Sequence, residues 1–247
     1  MFFPRLRRHA KWMFLFLALA LGLGFVLFGI GAGGIGLGNL AEGAGESGVP
    51  SISDSEKKVL DNPKNAEAFK DLATAHQAAG NIDDAVEAMN SYIALRPRDA
   101  DGLRELAALH LQQATNAQER AQIYQFRSAY LAPGGIRDTI FQIGGSPLEP
   151  DPITNAVSTR YENEIVAASS EAQAASAQAV EAYRKITALQ PDDPTVQLEL
   201  AQAAESANDV TTAIAAYEAF LKLAPDDPTA PEVRRLLEQY KRFAQSG

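Results

Sequence analysis

The sequence predicts an all-α solenoid of helical hairpins, preceded by a single transmembrane helix. Three observations support this prediction: apolar residues recur at helical spacing after residue 53, some of these positions repeat at an interval of 34 residues, and no charge occurs from Trp12 to Ala41. The chain of 247 residues has no cysteine, which excludes a disulfide framework, a thiol nucleophile and a lipoprotein anchor.

The N-terminal region has the features of a membrane anchor. Residues 1–11 form a basic tip with Arg5, Arg7, Arg8 and Lys11 and no acidic residue, and residues 12–31 can form a helix that crosses a hydrocarbon core of ~30 Å. The basic flank predicts a cytoplasmic N-terminus and a repeat region outside the cytoplasmic (inner) membrane. A cleaved secretory signal is the alternative, although its apolar core would be only ~7–15 residues long.

The glycines near the end of this segment have a spacing that lets membrane helices approach each other, so self-association is a further expectation. They are Gly29, Gly33, Gly34 and Gly38. Residues 32–53 are rich in Gly, Ala and Ser and predict a flexible linker. A short helix from Asp54 to Leu60 is predicted to precede the first hairpin.

The clearest hairpin lies between Asn65 and Asp99. Small residues allow its two antiparallel helices to approach, and larger apolar residues fill the space beside them. The positions that define it are Phe69, Leu72, Ala73, His76, Gly80, Asn81, Ala85, Met89 and Pro97. This pattern resembles the tetratricopeptide repeat, a helix–turn–helix unit that must stack on neighbours to bury its apolar face.

Further copies follow. A second is predicted from Ala100 to Pro133, with a second helix that carries Ala121 and ends at Pro133. Residues 153–191 supply another, in which a turn near Ser169 or one uninterrupted helix are both open. Equivalent positions then repeat 34 residues apart: Ala179, Tyr183 and Pro191 precede Ala213, Tyr217 and Pro225. A capping helix is predicted from Ala230 to Ala244.

These assignments divide the exported region into three parts. Residues 54–133 form a repeat pair with the preceding short helix, and residues 153–247 form a second pair with the capping helix. Between them lies a Gly/Pro-rich insertion, residues 134–152. We expect its apolar residues to pack on the array, and a ligand lid is the alternative.

Polar residues precede the first helix of each hairpin, where a side-chain oxygen can accept from free backbone N–H groups. They are Asn65, Asp99, Asp193 and Asp227. A metal site is an alternative for the two Asp-Asp-Pro sequences, but capping explains both. His76 and His110 are equivalent residues in neighbouring copies, and we expect them to pack rather than to bind a metal.

The composition argues against nucleic-acid binding and catalysis. The net charge is −9, and beyond residue 11 the chain carries 18 basic and 31 acidic residues, which would repel phosphate. No nucleophile elbow, phosphate-binding loop or HExxH motif occurs. We therefore expect no catalytic residue, no cofactor and no metal.

The resemblance implies that the first helices form a concave surface that binds protein or peptide segments. The residues predicted on that surface are Lys70, Thr74, Gln77, Arg104, Ala108, Leu111, Leu198, Gln202 and Glu205. Thr74 replaces the asparagine that a terminal-carboxylate clamp would need. The sequence thus predicts a membrane-anchored extracytoplasmic adaptor or scaffold, loosely similar to repeat proteins that assist exported chains near the translocon. The alternatives are a regulatory or structural subunit of an envelope complex and a cytochrome c assembly factor.

Overall fold

Eight helices make up most of the part of the chain that the structure describes. This computed structural model describes residues 50–131, 142–143, 146–147 and 152–246. The helices are α1 Ile52–Asp61, α2 Ala66–Ala78, α3 Ile82–Leu95, α4 Ala100–Leu131, α5 Pro152–Leu189, α6 Pro194–Ser206, α7 Val210–Leu223 and α8 Ala230–Ser246. Two short antiparallel strands, β1 Gln142–Ile143 and β2 Ser146–Pro147, lie between α4 and α5 in sequence. The all-α class is confirmed, as are the hairpin predicted between Asn65 and Asp99 and the hairpin that ends at Pro225.

Several sequence predictions lie outside the described residues. They concern the basic tip, the membrane helix 12–31, the four glycines near its end, nearly all of the linker, and the insertion 134–152 apart from β1, β2 and Pro152. Among the helices that the structure describes, none combines the length and the apolar character needed to cross a membrane.

The hairpins α2–α3 and α6–α7 have the same construction. Each turns through one residue with positive φ, Gly80 at 80° and Asn208 at 54°. In each turn a backbone N–H returns to the preceding helix, from Asn81 to the His76 carbonyl at 2.9 Å and from Asp209 to the Ala204 carbonyl at 2.8 Å. These bonds satisfy carbonyls that the end of a helix would otherwise leave unpaired.

Three of the four predicted capping residues accept a hydrogen bond as expected. The side chains of Asp99, Asp193 and Asp227 accept from backbone N–H groups two residues later, at 3.1, 2.8 and 2.8 Å. Asn65 occupies the capping position of α2 but its side chain makes no such bond. Capping thus accounts for the aspartate of each Asp-Asp-Pro sequence that stands next to the proline.

The predicted second hairpin, Ala100 to Pro133, is wrong. α4 runs without a turn for 32 residues, so the expected second helix around Ala121 is the continuation of the first. Neither glycine nor proline occurs between Leu103 and Leu131, and alanine and glutamine are frequent there, so nothing in the local sequence stops the helix. For residues 153–189, the uninterrupted helix is the alternative that the structure adopts, since α5 is continuous over 38 residues.

The second repeat is instead assembled from the two ends of this long segment. Ala179, Tyr183 and Pro191 follow Ala85, Met89 and Pro97 by 94 residues, which is one period of 34 plus 60. The first part of α4, residues 100–112, therefore supplies the first helix, and the last part of α5, residues 176–189, supplies the second. Both parts enter one apolar core, to which α4 contributes Leu103, Leu106, Ala107 and Leu109 and α5 contributes Ala179, Val180, Ala182, Tyr183 and Ile186.

The remainder of α4 and α5, residues 114–131 and 152–175, forms what we term the long hairpin. The 18 residues from 114 to 131 on α4 correspond to about 27 Å of helix. The inward positions alternate in steps of three and four residues, as in a coiled coil. They are Ala114, Ala117, Ala121, Tyr124, Ser128 and Leu131 on α4, and Thr154, Ser158, Tyr161, Ile165, Ala168, Ala172 and Ala175 on α5, all of them buried or half-buried.

Two contacts show that the helices of the long hairpin run antiparallel. The rings of Tyr124 and Tyr161 lie 5.9 Å apart between centroids. Nearer the repeats, Arg120 pairs with Glu171. The alanines Ala114, Ala117, Ala121, Ala168, Ala172 and Ala175 are at most 6% exposed, so this part of the interface is built from methyl groups at close helix separation.

The joints between successive repeats balance a large residue against a small one. A Cβ atom on Gly102 of α4 would lie 2.5 Å from a ring carbon of Tyr92 on α3, so only glycine fits beside this buried ring. The equivalent positions in the next two joints hold Ile186 with Val196 and Phe220 with Ala230, all at most 3% exposed. Along the array, the larger the residue on one side of the joint, the smaller the residue at the facing position.

Candidate protein-binding face

The predicted binding residues lie on three helices that stand side by side. α2 carries Lys70, Thr74 and Gln77, α4 carries Arg104, Ala108 and Leu111, and α6 carries Leu198, Gln202 and Glu205. Polar contacts link α2 to α4 and α4 to α6: Lys70 bonds to Glu105 at 2.7 Å, Gln77 to Gln112 at 3.3 Å, and Arg104 to Glu199 at 3.0 Å. We call the surface formed by α2, residues 100–112 of α4, and α6 the first-helix face.

The two basic residues of this face are held by carboxylates of the next repeat. Lys70 Nζ donates to Glu105, and Arg104 Nε lies 3.0 Å from both oxygens of Glu199. The hydrogen bond to Glu105 is the main reason that the pKa of Lys70 is raised, and the hydrogen bond to Glu199 is the main reason that the pKa of Arg104 is raised. At neutral pH both cations are therefore paired, and neither offers an unpaired charge to a partner.

The carboxylates occupy one position of the repeat. The interval is 34 residues from Asp71 to Glu105 and 94 residues from Glu105 to Glu199. Asp71 forms an ion pair with Lys58 of α1, at 2.7 Å. Together the three ion pairs form a charge ladder along the first helices. The sequence interpretation named the cations but missed their partners, although the recurrence of an acidic residue directly after Lys70 and Arg104 was visible as a signal.

Most of the other predicted residues are also used within the molecule. The Thr74 hydroxyl donates to the Lys70 carbonyl at 2.9 Å, which is a contact inside α2. Glu205 accepts from the Tyr217 hydroxyl at 2.8 Å, and burial together with this bond raises the pKa of Tyr217. Leu111 and Leu198 are half-buried and pack against the core. The face therefore presents uncharged groups, namely Thr74, Gln77, Ala108 and Gln202, beside partly exposed leucine side chains.

His76 and His110 are both packed into the array. His110 is 7% exposed, and burial lowers the pKa of its imidazole while a contact with Gln113 at 3.3 Å opposes the shift. Nδ1 of His76 lies 3.7 Å from an Asp84 oxygen, which is beyond hydrogen-bond distance. Within the described ranges, no group of three or more His, Asp or Glu side chains is arranged to hold a metal ion.

Comparison with known proteins detects a repeat family in two segments of the chain. The tetratricopeptide repeat family matches residues 70–134 and 171–228. A crystal structure of a thermophilic TPR protein from Thermus thermophilus is also similar, with 18% identity, 76% of this chain and 88% of that chain covered, and a TM-score of 0.27, which is too low to bear on the fold. No curated protein matches the chain. Residues 70–134 and 171–228 thus match tetratricopeptide repeats, and the hairpins α2–α3 and α6–α7 lie largely within these two segments.

Proposed function

We propose that this protein is a non-catalytic adaptor that binds an uncharged or apolar segment of another protein on its first-helix face. The observation that carries this proposal is the charge ladder. Because Lys70 and Arg104 are already paired with Glu105 and Glu199, recognition of a carboxylate would have to break an existing ion pair. The neutral groups and half-buried leucines that remain suit a peptide with few charges.

Site-specific photocrosslinking tests the face directly. We would place a photoreactive residue in the full chain at Thr74, Ala108 or Gln202, all exposed on this face, and at Asn90, which is exposed on α3, as the matched control. The proposal expects discrete partner adducts from the three face positions and none shared with Asn90. Adducts that form equally from Asn90 would contradict it.

The charge of the bound segment supplies a second test. Mass spectrometry of the crosslinked peptides should identify segments poor in acidic and basic residues. A partner held through its terminal carboxylate, with binding lost in Lys70→Met and Arg104→Met, would show that the ladder opens and that the proposed specificity is wrong.

We further propose that residues 12–31 anchor the chain in the cytoplasmic membrane, with the repeats outside it. Support comes from the charge-free stretch after Trp12 and the four basic residues before it. Protease added to spheroplasts should digest the repeats and leave a membrane-embedded N-terminal fragment. Protection of the repeats in intact spheroplasts would reject this topology, and a mature chain that begins after residue 31 would support the cleaved signal instead.

The crosslinked species also distinguish the finer roles. Exported nascent chains would support assistance near the translocon, and apocytochromes would support a part in cytochrome c assembly. One fixed enzyme or complex would support a regulatory subunit. Adducts with copies of itself alone would support a structural oligomer, for which Gly29, Gly33, Gly34 and Gly38 are the predicted contact in the membrane.

A further inference from the structure

A groove lined by uncharged polar side chains lies outside the first-helix face. It has a volume of about 340 Å³ and is bounded by the near part of the long hairpin and by the turn between α6 and α7. The polar residues that line it include Gln118, Gln122, Gln125, Ser169, Gln173 and Asn208. Among the described residues that line the groove, none is ionisable or aromatic.

The amide groups of this groove are exposed to solvent and are not bonded to any other residue that the structure describes. Within the part of the chain that the structure describes, no hydrogen bond joins the side chains of Gln118, Gln122, Gln125, Gln173 or Asn208 to another protein group, whereas Gln77, Gln112 and Gln113 are all bonded. Each carboxamide offers two donor hydrogens and one acceptor oxygen. Several such groups therefore converge on one space without being satisfied by the protein.

The geometry points to a binding site for the main chain of an extended, uncharged peptide; we propose this occupant for the groove. A peptide group presents one donor and one acceptor, which a carboxamide can match at the same time. The lining supplies no charge that would offset the desolvation of a carboxylate or an ammonium group. The lining residues that the structure describes also include no aromatic ring on which a sugar could stack, so a carbohydrate is the less suitable ligand.

The groove continues a stripe that starts on the first-helix face. Arg104, Leu111, Gln118 and Gln125 are spaced by seven residues on α4, and seven residues are close to two turns of helix. A peptide bound near Leu111 could therefore extend along the same side of α4 into the groove. This inference rests on the proposed function and adds a second contact region, which exists because α4 continues beyond the repeat.

The test uses a phage-displayed library of 12-residue peptides selected on the full chain in detergent. A selected peptide is then labelled, and its affinity is measured by fluorescence anisotropy for wild type and two groove variants. Gln118→Ala/Gln122→Ala removes two amides, and Gln122→Glu keeps the shape but adds a charge. Gln178→Ala, an exposed glutamine on α5 that does not line the groove, is the matched control.

We expect selected peptides without charged side chains in their central residues, a loss of about tenfold or more in both groove variants, and less than a twofold change in the control. If a peptide binds all groove variants like wild type but loses affinity when Ala108→Arg is introduced on the first-helix face, the groove inference is overturned and the proposed function stands. If no peptide is selected, both are overturned. Binding to an oligosaccharide array that disappears in Gln118→Ala/Gln122→Ala would assign the groove to sugars and reject the peptide.

Discussion

The repeats and the long hairpin are both antiparallel helix pairs, but they are packed by different side chains. At the joints between repeats, large residues such as Tyr92, Ile186 and Phe220 are matched by Gly102, Val196 and Ala230. In the long hairpin, the buried positions near the repeats are alanines, and the Tyr124–Tyr161 pair and the half-buried Leu131 and Ile165 lie farther out. The buried apolar side chains are therefore larger in the repeats, and we expect the long hairpin to be the less stable region.

The largest expected effect is at the Tyr92–Gly102 joint. Gly102→Val should lower the free energy of unfolding by about 2–3 kcal/mol, because its side chain would overlap the buried Tyr92 ring. Tyr92→Ile in the same chain copies the Ile186–Val196 joint and should recover more than half of the loss. Urea unfolding of Gly102→Val, of Tyr92→Ile and of the double variant measures the coupling between the two positions. If the two single effects simply add in the double variant, size matching between repeats is contradicted.

A bulky residue in the alanine interface should act more locally. Ala117→Leu should cost about 1–2 kcal/mol by forcing the two helices of the long hairpin apart. Hydrogen exchange should accelerate in residues 114–131 and 152–175 and stay unchanged in α2, α3, α6 and α7. Thr115→Leu, at an exposed position on the same helix, is the control and should change neither region. Faster exchange throughout the repeats would mean that the two regions are not separate.

The charge ladder should contribute less than either packing feature. Arg104→Gln should lower the free energy of unfolding by about 0.5–1 kcal/mol, because the ion pair with Glu199 is only partly exposed. Lys58→Gln should cost less, since the pair with Asp71 is more open to solvent. Thermal unfolding at low and high salt would compare the two, and a larger effect for Lys58 would contradict the importance of burial.

The smallest effect concerns pH. Burial lowers the pKa of His110 from 6.5, so the unfolded chain takes up a proton before the folded chain does. Stability should therefore be constant above pH 6.5 and fall as the pH drops below it, until the folded imidazole is itself protonated, with a slope of at most ~1.4 kcal/mol per pH unit. His110→Phe should remove this part of the pH dependence. An unchanged profile in that variant would assign the acid response to other groups.

Prediction from sequence succeeded where the 34-residue period and the local turn residues indicated the same hairpin. Asn65 to Asp99 and Asp193 to Pro225 each contain a three-residue break, with Gly80 or Asn208 in the left-handed region, and each was predicted as a hairpin. The span from Ala100 to Leu131 has no such break, so the 34-residue period suggested a turn that the local sequence does not form. The period itself was correct, but its missing second helix lay 60 residues further along at Ala179 and Tyr183.

For the candidate site, the sequence identified the helices but not the state of their side chains. Lys70 and Arg104 were correctly assigned to first helices, yet their pairing depends on how α2, α4 and α6 stand next to each other. The partner of Arg104 is 95 residues away, and that distance could not be derived while the second repeat was misassigned. The groove at Gln118 and Asn208 was missed for the same reason, because it needs the long hairpin beside the α6–α7 turn.

The central claim is that the second repeat consists of residues 100–112 and 176–189, with the long hairpin inserted between them. Deleting residues 114–173 removes 60 residues and joins these helices through a turn of three residues, the length found in the other hairpins, with Ala174→Gly supplying the position that Gly80 and Asn208 occupy there. The shortened chain should unfold cooperatively in urea, with α2, α3, α6 and α7 as protected from hydrogen exchange as in the wild type. Deletion of residues 110–173, which also removes the buried His110, should be clearly less stable. A chain lacking residues 114–173 that shows no cooperative transition, or that loses protection in α6 and α7, would contradict the claim.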